Sequence, residues 1–320
     1  MKPEVLIFSA SPSPAVMDGM EANFSCHQLW KIPVLDRVSY IERVGHNIRG
    51  ILTVGSIRLD VALLDLLPRL EIVAVNSVGV DQIDLAQLRA RGIPLTYTPE
   101  VLTDDVADLG VLLLLAVSRR LRCLDRYVRT GEWARGVFLA MPHSLKGKVV
   151  GIFGFGRIGQ ALAARLQSFG MSIRYYQPRP IENHPVPRDT SLLALASNSD
   201  YLVLCAPANE STIHAVDAAV LAALGPQGTL INLARGALVD ESALIRALQE
   251  GQLGGAGLDV FENEPEVPHA LRMLDNVVLT PHIGSYTVET RHAMGQLAVD
   301  NLVAHFNRQP LLTPFISSAV

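Results

Sequence analysis

A chain of 320 residues is long enough for two domains, each with its own core. Hydrophobic residues make up 49% and charged residues only 18%, the balance of a packed globular protein. The formal net charge of −4 excludes an electrostatic pull toward nucleic acid or an anionic membrane. The three scattered cysteines, Cys26, Cys123 and Cys205, exclude a disulfide framework or a zinc site and fit a reducing cytoplasm.

The N-terminal third alternates short apolar runs with helical patterns. Strands are expected at 5–8, 50–54, 72–75 and 93–97. Helices are expected over 61–67, stopping at Pro68, and over 85–91, closed by Gly92. This alternation predicts a parallel α/β sheet. The third apolar run ends in Asn76-Ser77-Val78-Gly79-Val80-Asp81. A long helical pattern then covers 103–130. Its apolar stretch 109–117 is far short of the ~20 residues of a membrane span and reads as buried helix. The first apolar run, 5–8, is likewise too short for a signal-peptide core.

From residue 149 the alternation restarts with stronger strands, at 149–153, 172–176, 201–204, 229–233, 257–260 and 277–279. Helical patterns cover 160–169, 192–196, 217–223, 241–250 and finally 288–306. Six strands in this rhythm predict a doubly wound parallel sheet, the dinucleotide-binding architecture. The tail 310–320 reads as extended and has no sheet of its own to join. The expected organisation is therefore a smaller, discontinuous, flavodoxin-like substrate domain (1–100 and 287–320) and a dinucleotide-binding domain (101–286), both Rossmann-like. The long helices at 103–130 and 288–306 would bridge them, with the ligand in the cleft.

The first strand of the second block runs straight into Gly154-Phe155-Gly156-Arg157-Ile158-Gly159, and a helical pattern follows. A strand, a glycine turn and a helix N-terminus make a pyrophosphate site. Gly154 permits the turn, Gly156 lets the backbone approach the phosphates, and Gly159 lets helix and strand pack closely. An NAD site would place a carboxylate at the end of the next strand to bind the ribose hydroxyls. Here that strand ends in Gln177-Pro178-Arg179, and Arg188 follows in the same Pro- and Arg-rich loop. A guanidinium binds a 2′-phosphate that a carboxylate would repel, so NADP is favoured over NAD. Read as ordinary solvated charges, Arg179 and Arg188 would carry no such meaning.

Three polar residues follow the ends of three later strands: Arg235, Glu264 and His282. Carboxyl ends of strands in a doubly wound sheet face the ligand. A 2-oxo acid needs a cation for its carboxylate and a proton donor when hydride arrives at carbon. Arg235 and His282 have that chemistry, and a carboxylate beside His282 would favour the imidazolium and orient the ring. The acidic loop also holds Glu262 and Glu266, and pattern alone does not choose among the three. Arg235 could equally cap the following helix or pair with Asp240.

At these residues the chain resembles the D-isomer-specific 2-hydroxyacid dehydrogenase family. The likeness runs through 91–99, 101–108, the glycine loop, Asn232-Leu-Ala-Arg-Gly236, Gly257-Leu-Asp-Val-Phe-Glu-Asn-Glu-Pro265 and Pro281-His-Ile-Gly-Ser285. It implies Arg235, Glu264 and His282 as the catalytic set, with Glu264 chosen because it directly precedes Pro265. It implies a substrate carboxylate on the backbone amides of Val78 and Gly79, with Arg235 and Ser285 beside the substrate. The cofactor set it implies comprises Thr103, Gly154 to Gly159, Gln177, Arg179, Cys205, Ala206, Pro207, Thr212, Leu233, Ala234, Arg235, Asp259, His282 and Gly284; no metal is implied.

Within the family, Ser77 to Asp81 and His282 to Arg291 are similar to the plant-type NADP-dependent glyoxylate/hydroxypyruvate reductases. The resemblance thus implies an NADPH-preferring reductase of small 2-oxo acids to D-2-hydroxy acids, and a cytoplasmic homodimer joined through the dinucleotide-binding domains. The alternatives are a dehydrogenase for a bulkier 2-oxo acid, with Phe138 and Met141 lining its pocket, and a dinucleotide-sensing, co-repressor-like binding protein. Two departures stand out: Ser77 replaces a common glycine, and Gln177-Pro-Arg179 is not the usual Asn/Ser-Arg phosphate motif. Phosphoglycerate dehydrogenases of the family often carry a further C-terminal regulatory domain, and that reading loses ground because this sequence ends soon after the final helix.

Overall fold

The computed structural model describes residues 2–9, 13–138 and 140–316. The chain divides into two compact units: one carries the chain up to Leu102 and again from Ser285, the other runs from Thr103 to Gly284.

The first unit is built on strands β1 (Glu4–Ile7), β2 (Ser25–Gln28), β3 (Ile48–Thr53), β4 (Ile72–Val75) and β5 (Leu95–Thr96). They form one parallel sheet in the order β2-β1-β3-β4-β5, the flavodoxin-like order. The central strands are continuous apolar runs because both faces are covered. On one face Val5, Ile7, Ile72 and Ala74 pack with Val16 and Met20 of helix Pro14–Asn23 and with Ala298, Val299 and Leu302 of helix Val288–Phe306. On the other, Leu6, Ile51, Val73 and Val75 pack with Ile41, Leu64 and Leu88. Each such side chain contributes roughly 1.5–3 kcal/mol. The chain's end returns to this sheet. Pro314 bridges Thr96 in antiparallel fashion, and Asn301 Oδ1 accepts the amides of Leu312 and Thr313 at 3.0 and 3.1 Å.

The second unit holds β6 (Val149–Phe153), β7 (Ser172–Tyr176), β8 (Tyr201–Leu204), β9 (Thr229–Asn232), β10 (Gly255–Leu258) and β11 (Val277–Leu279). Its parallel sheet has the order β11-β10-β9-β8-β6-β7. The order reverses at β6, so the switch point of the doubly wound sheet falls where the glycine loop begins. Helices Leu192–Ser197, Ala218–Leu224 and Glu241–Gln249 cover one face through Leu195, Leu221, Leu224 and Leu244. Helix Thr103–Ser118 lies against β9 and β10 and against helix Arg157–Gln167, its Gly110 close to Leu162 and Leu233.

Several elements differ from expectation. The pattern at 103–130 is two helices, Thr103–Ser118 and Leu121–Arg129, broken at Arg120, whose φ of +51° is left-handed. Each long helix, Thr103–Ser118 and Val288–Phe306, belongs to one unit. β10 begins and ends two residues before the expected 257–260, which places Asp259 beyond the strand end. Helices Pro14–Asn23 and Arg37–Val44 and strand β2 were not expected. The first helix buries only Val16 and Met20, the second only Ile41, and β2 is a polar edge strand, so no apolar period announces them. Among the described residues no helix is long and apolar enough to cross a membrane, and no group of three His, Cys, Asp or Glu side chains could hold a metal ion.

Candidate active site

In the second unit six strand ends supply the site. Gly154 follows β6 with φ +90°, and a Cβ there would lie 2.5 Å from the amide nitrogen of Ala206 and 2.7 Å from the carbonyl carbon of Cys205. The loop after β8 therefore packs directly on the glycine turn. Gly159 is equally constrained, since its Cβ would lie 2.5 Å from Gly154 O. Gly156 differs. Its backbone is extended at φ −78°, and a Cβ would meet nothing within 4 Å. No internal packing requires glycine there. The bare backbone leaves open space over the start of helix Arg157–Gln167, which has no side-chain cap. That arrangement suits a close-approaching pyrophosphate and is the observation that fits a dinucleotide to this loop.

Phe155 is buried and stacks on Tyr175 with centroids 4.5 Å apart. Its amide donates to Gln177 Oε1 at 3.0 Å, and Gln177 Nε2 donates to Arg179 O at 2.8 Å. The Gln177 side chain thus ties the end of β7 to the glycine loop. Arg157 and Arg179 are exposed, and Ile158 is half-buried. Burial pushes the Cys205 thiol up to about 12, so this sulfur is no nucleophile. Thr212 is buried; its hydroxyl donates to Pro207 O at 2.8 Å and accepts the Asn209 amide at 2.8 Å, which braces the loop after β8. Thr103 is the first residue of its helix.

After β9 the chain turns through Leu233, Ala234 and Arg235. Asn232 holds this turn: its Oδ1 accepts the Ala234 amide at 3.0 Å and its Nδ2 donates to Arg235 O at 2.9 Å. Gly236 then presses on the acidic loop, its Cβ position lying 1.9 Å from Phe261 C. In that loop the choice among the glutamates is made by geometry. Glu264 Oε2 lies 2.7 Å from His282 Nδ1, and Glu264 Oε1 accepts the Phe261 amide at 3.1 Å. Glu262 points elsewhere, its Oε1 lying 2.9 Å from His214 Nε2. Glu266 turns its amide to Asn263 O. Burial works against the charged form of Glu264. The hydrogen bond and charge of His282, the Phe261 amide and the charge of Arg235 outweigh it and hold the carboxyl below its usual range.

His282 stands in the left-handed region at φ +54°. Asp259 fixes that turn. Its Oδ1 accepts the Ile283 amide at 2.8 Å and the Thr280 hydroxyl at 2.7 Å, its Oδ2 the Gly284 amide at 2.9 Å, and its backbone oxygen the His282 amide at 2.8 Å. Burial raises the Asp259 pKa despite these donors. An ionised carboxylate only accepts, so His282 Nδ1 carries the proton toward Glu264, and Nε2 is the ring nitrogen outside this pair.

Val78, Gly79 and Ser285 belong to the first unit. After β4 the Ser77 hydroxyl donates to Gly79 O at 2.7 Å. The amides of Val78 and Gly79 have no acceptor among the described residues, so this loop presents two free donors. Gly55 makes room for it, since a Cβ there would lie 2.2 Å from Gly79 O and 2.4 Å from Ser77 Oγ. Sequence reasoning missed Gly55, Thr280 and the His214–Glu262 pair. A glycine two residues after the end of β3 was the only available signal for the first, and there was none for the others.

A glycine loop at the switch point, and a histidine–glutamate pair with an arginine beside it at later strand ends, define a nicotinamide-dependent dehydrogenase. Residues 111–284 match the family described as D-isomer specific 2-hydroxyacid dehydrogenase, NAD binding domain. The chain belongs to this family and is an oxidoreductase of that class. It is 48% identical to glyoxylate/hydroxypyruvate reductase A of Arabidopsis thaliana over 297 residues, 93% of this chain and 94% of that one. It is 46% identical to hydroxyphenylpyruvate reductase of Plectranthus scutellarioides, again over 93% of this chain and 94% of that one. The structure of NADPH-dependent glyoxylate/hydroxypyruvate reductase from Sinorhizobium meliloti, in complex with NADP and malonate, superposes with a TM-score of 0.89 at 42% identity, covering 98% of this chain and 97% of that one.

Proposed function

We propose that the protein is an NADPH-preferring reductase of small 2-oxo acids, glyoxylate and hydroxypyruvate foremost, giving D-2-hydroxy acids. The 2.7 Å contact between His282 Nδ1 and Glu264 carries this reading, because it commits Nδ1 to the carboxylate and leaves Nε2–H as the acid. The bound nicotinamide would supply hydride to C2. His282 Nε2 gives its proton to the oxygen at C2, and Glu264 holds the ring and offsets the charge of the imidazolium. Arg235 binds the substrate carboxylate and polarises the carbonyl. Within the first unit, the free amides of Val78 and Gly79 are donors suited to a substrate carboxylate, and Ser285 is assigned to substrate by the family resemblance. Gly154 to Gly159, Cys205 to Pro207, Thr212, Leu233 and Ala234 hold the dinucleotide, with Thr103, Asp259 and Gly284 at its edge.

NADPH is preferred because no carboxylate stands at the end of β7, where the Gln177 side chain is spent on Phe155 and Arg179 is exposed. The NADP-bound relative supports the same preference. The three cysteines are free, in keeping with a reducing cytoplasm. In the second unit Trp133, Phe138 and Met141 are 69%, 90% and 82% exposed, and a second copy of this chain is the partner that would cover them in a homodimer. Sedimentation as a monomer would remove that part of the proposal.

The test is an assay of glyoxylate, hydroxypyruvate and hydroxyphenylpyruvate, first with NADPH and then with NADH. The 46% identity to hydroxyphenylpyruvate reductase favours one second reading, a bulkier 2-oxo acid, and the third substrate decides it. His282→Ala should lose about 10²–10⁴ in turnover while NADPH still binds. Turnover within threefold of wild type would overturn His282 as the acid.

A further inference from the structure

The loop 177–189 holds a second arginine whose contacts the cofactor reading leaves unused. Its backbone is fixed. Tyr175 N donates to Pro187 O at 3.0 Å and Asp189 N to Tyr175 O at 2.8 Å, so Arg188 sits beside Tyr175 as a short parallel extension of β7. Beneath the loop lies an aromatic base. Phe155 stacks on Tyr175, and the His184 ring meets Phe155 edge-on at 5.1 Å.

The Arg188 guanidinium lies over the Tyr176 ring, 5.8 Å from its centroid. Its Nε and Nη2 donate to Gln177 O at 3.2 and 3.1 Å, and Nη2 donates also to Pro178 O at 3.3 Å. Three of five donors are spent on backbone carbonyls, and both N–H groups of Nη1 remain without an acceptor among the described residues. Among the described residues no carboxylate neutralises the charge. The adjacent acid, Asp189, is taken by Arg174 at 2.7 and 2.8 Å and by Asn198 at 2.9 Å. The Gln177 side chain, at the same strand end, has both polar atoms engaged. A guanidinium that is anchored along one edge, open along the other and without a counter-charge is a preorganised receptor for a phosphate dianion.

We infer that Arg188 recognises the 2′-phosphate of the adenosine ribose. Its Nε/Nη2 edge shapes the Gln177–Pro178 turn, and its Nη1 edge binds the phosphate alongside Arg179. This rests on the NADPH preference proposed above and assigns part of that preference to a residue beyond the strand-end turn.

The test titrates the cofactor-free protein by calorimetry with adenosine 2′,5′-bisphosphate and with AMP, which differs from it only in lacking the 2′-phosphate. Arg188→Gln keeps an amide donor for the turn carbonyls and removes the charge, and its melting curve reports whether the turn survives. The expected result is a loss of about 10–100-fold in affinity for the bisphosphate relative to the loss for AMP. Arg188→Lys should fall between wild type and Gln. Equal losses for both ligands, or none for either, would overturn the assignment. If wild type binds the bisphosphate no more tightly than AMP, the NADPH reading itself fails; if it binds more tightly and Arg188→Gln does not lose the difference, only the role of Arg188 fails.

Discussion

The carboxylate of Glu264 is shared between two donors: Oε2 lies 2.7 Å from His282 Nδ1, and Oε1 accepts the Phe261 amide at 3.1 Å. A carboxamide has one acceptor oxygen. In Glu264→Gln that oxygen stays with the Phe261 amide, and the new NH2 faces Nδ1, which can then only accept. The imidazolium is disfavoured and the acid is lost. Turnover should fall about 10–100-fold, in line with roughly 1.5–3 kcal/mol for a charge-assisted hydrogen bond, with the melting temperature little changed. Steady-state kinetics beside a thermal melt check this; unaltered kcat would contradict it.

The glycine loop separates binding from folding. Gly156→Ala places its methyl group in open space and should melt like wild type, yet weaken NADPH about tenfold or more, roughly 1.4 kcal/mol. Gly159→Ala drives a Cβ to 2.5 Å from Gly154 O and should lower the melting temperature before any ligand is added. Calorimetry and thermal melts on both variants test the contrast. Equal destabilisation of the two would show that Gly156 is structural.

Gly55→Ala should act on substrate rather than on NADPH. Its Cβ would press on Gly79 O and Ser77 Oγ, displacing the loop whose amides are free. We expect KM for the 2-oxo acid to rise about tenfold with NADPH affinity unchanged. A variant with native KM would remove the Val78–Gly79 amides from the carboxylate site.

Stability should drain at acid pH through Asp189. The hydrogen bonds it accepts from Arg174 oppose the cost of burial and, with the one from Asn198, leave the carboxyl below its ordinary value. The folded pKa is the lower one. The contribution is therefore fully present above the unfolded value of about 3.9 and is lost as pH falls through the folded value. Asp189→Asn should cost about 1.5–3 kcal/mol at pH 7, because it replaces a charge-assisted pair with Arg174 by a single neutral acceptor, and should flatten the acid limb. Urea midpoints at pH 7, 4 and 3 measure this; parallel profiles for wild type and variant would argue against it.

The parts of this fold that were legible in the sequence are those buried on both faces. Val149 to Phe153 is a parallel strand because its apolar run can sit nowhere else, and a glycine turn after such a strand is distinctive. Arg120 shows the limit, because neither Gly nor Pro marks the left-handed residue that breaks the long helical pattern. At the site, residue types and strand ends pointed to Arg235 and His282. The choice between Glu262 and Glu264 was not readable from pattern and came only with the family resemblance, because it depends on which histidine each carboxylate meets, and His214 and His282 are distant in sequence from each other. The spending of the Gln177 side chain on the glycine loop was hidden for the same reason, being a contact across 22 residues.

The brace at Asp259 is built almost wholly from backbone amides and the Thr280 hydroxyl, and the His282 imidazole takes no part in it. The chemistry and the scaffold are therefore separable. Asparagine tolerates the left-handed backbone at position 282 at least as well as histidine. His282→Asn should keep the loop, the fold and the dinucleotide site while abolishing proton transfer. One substitution would turn this reductase into a protein that registers the cell's reduced nicotinamide without consuming it.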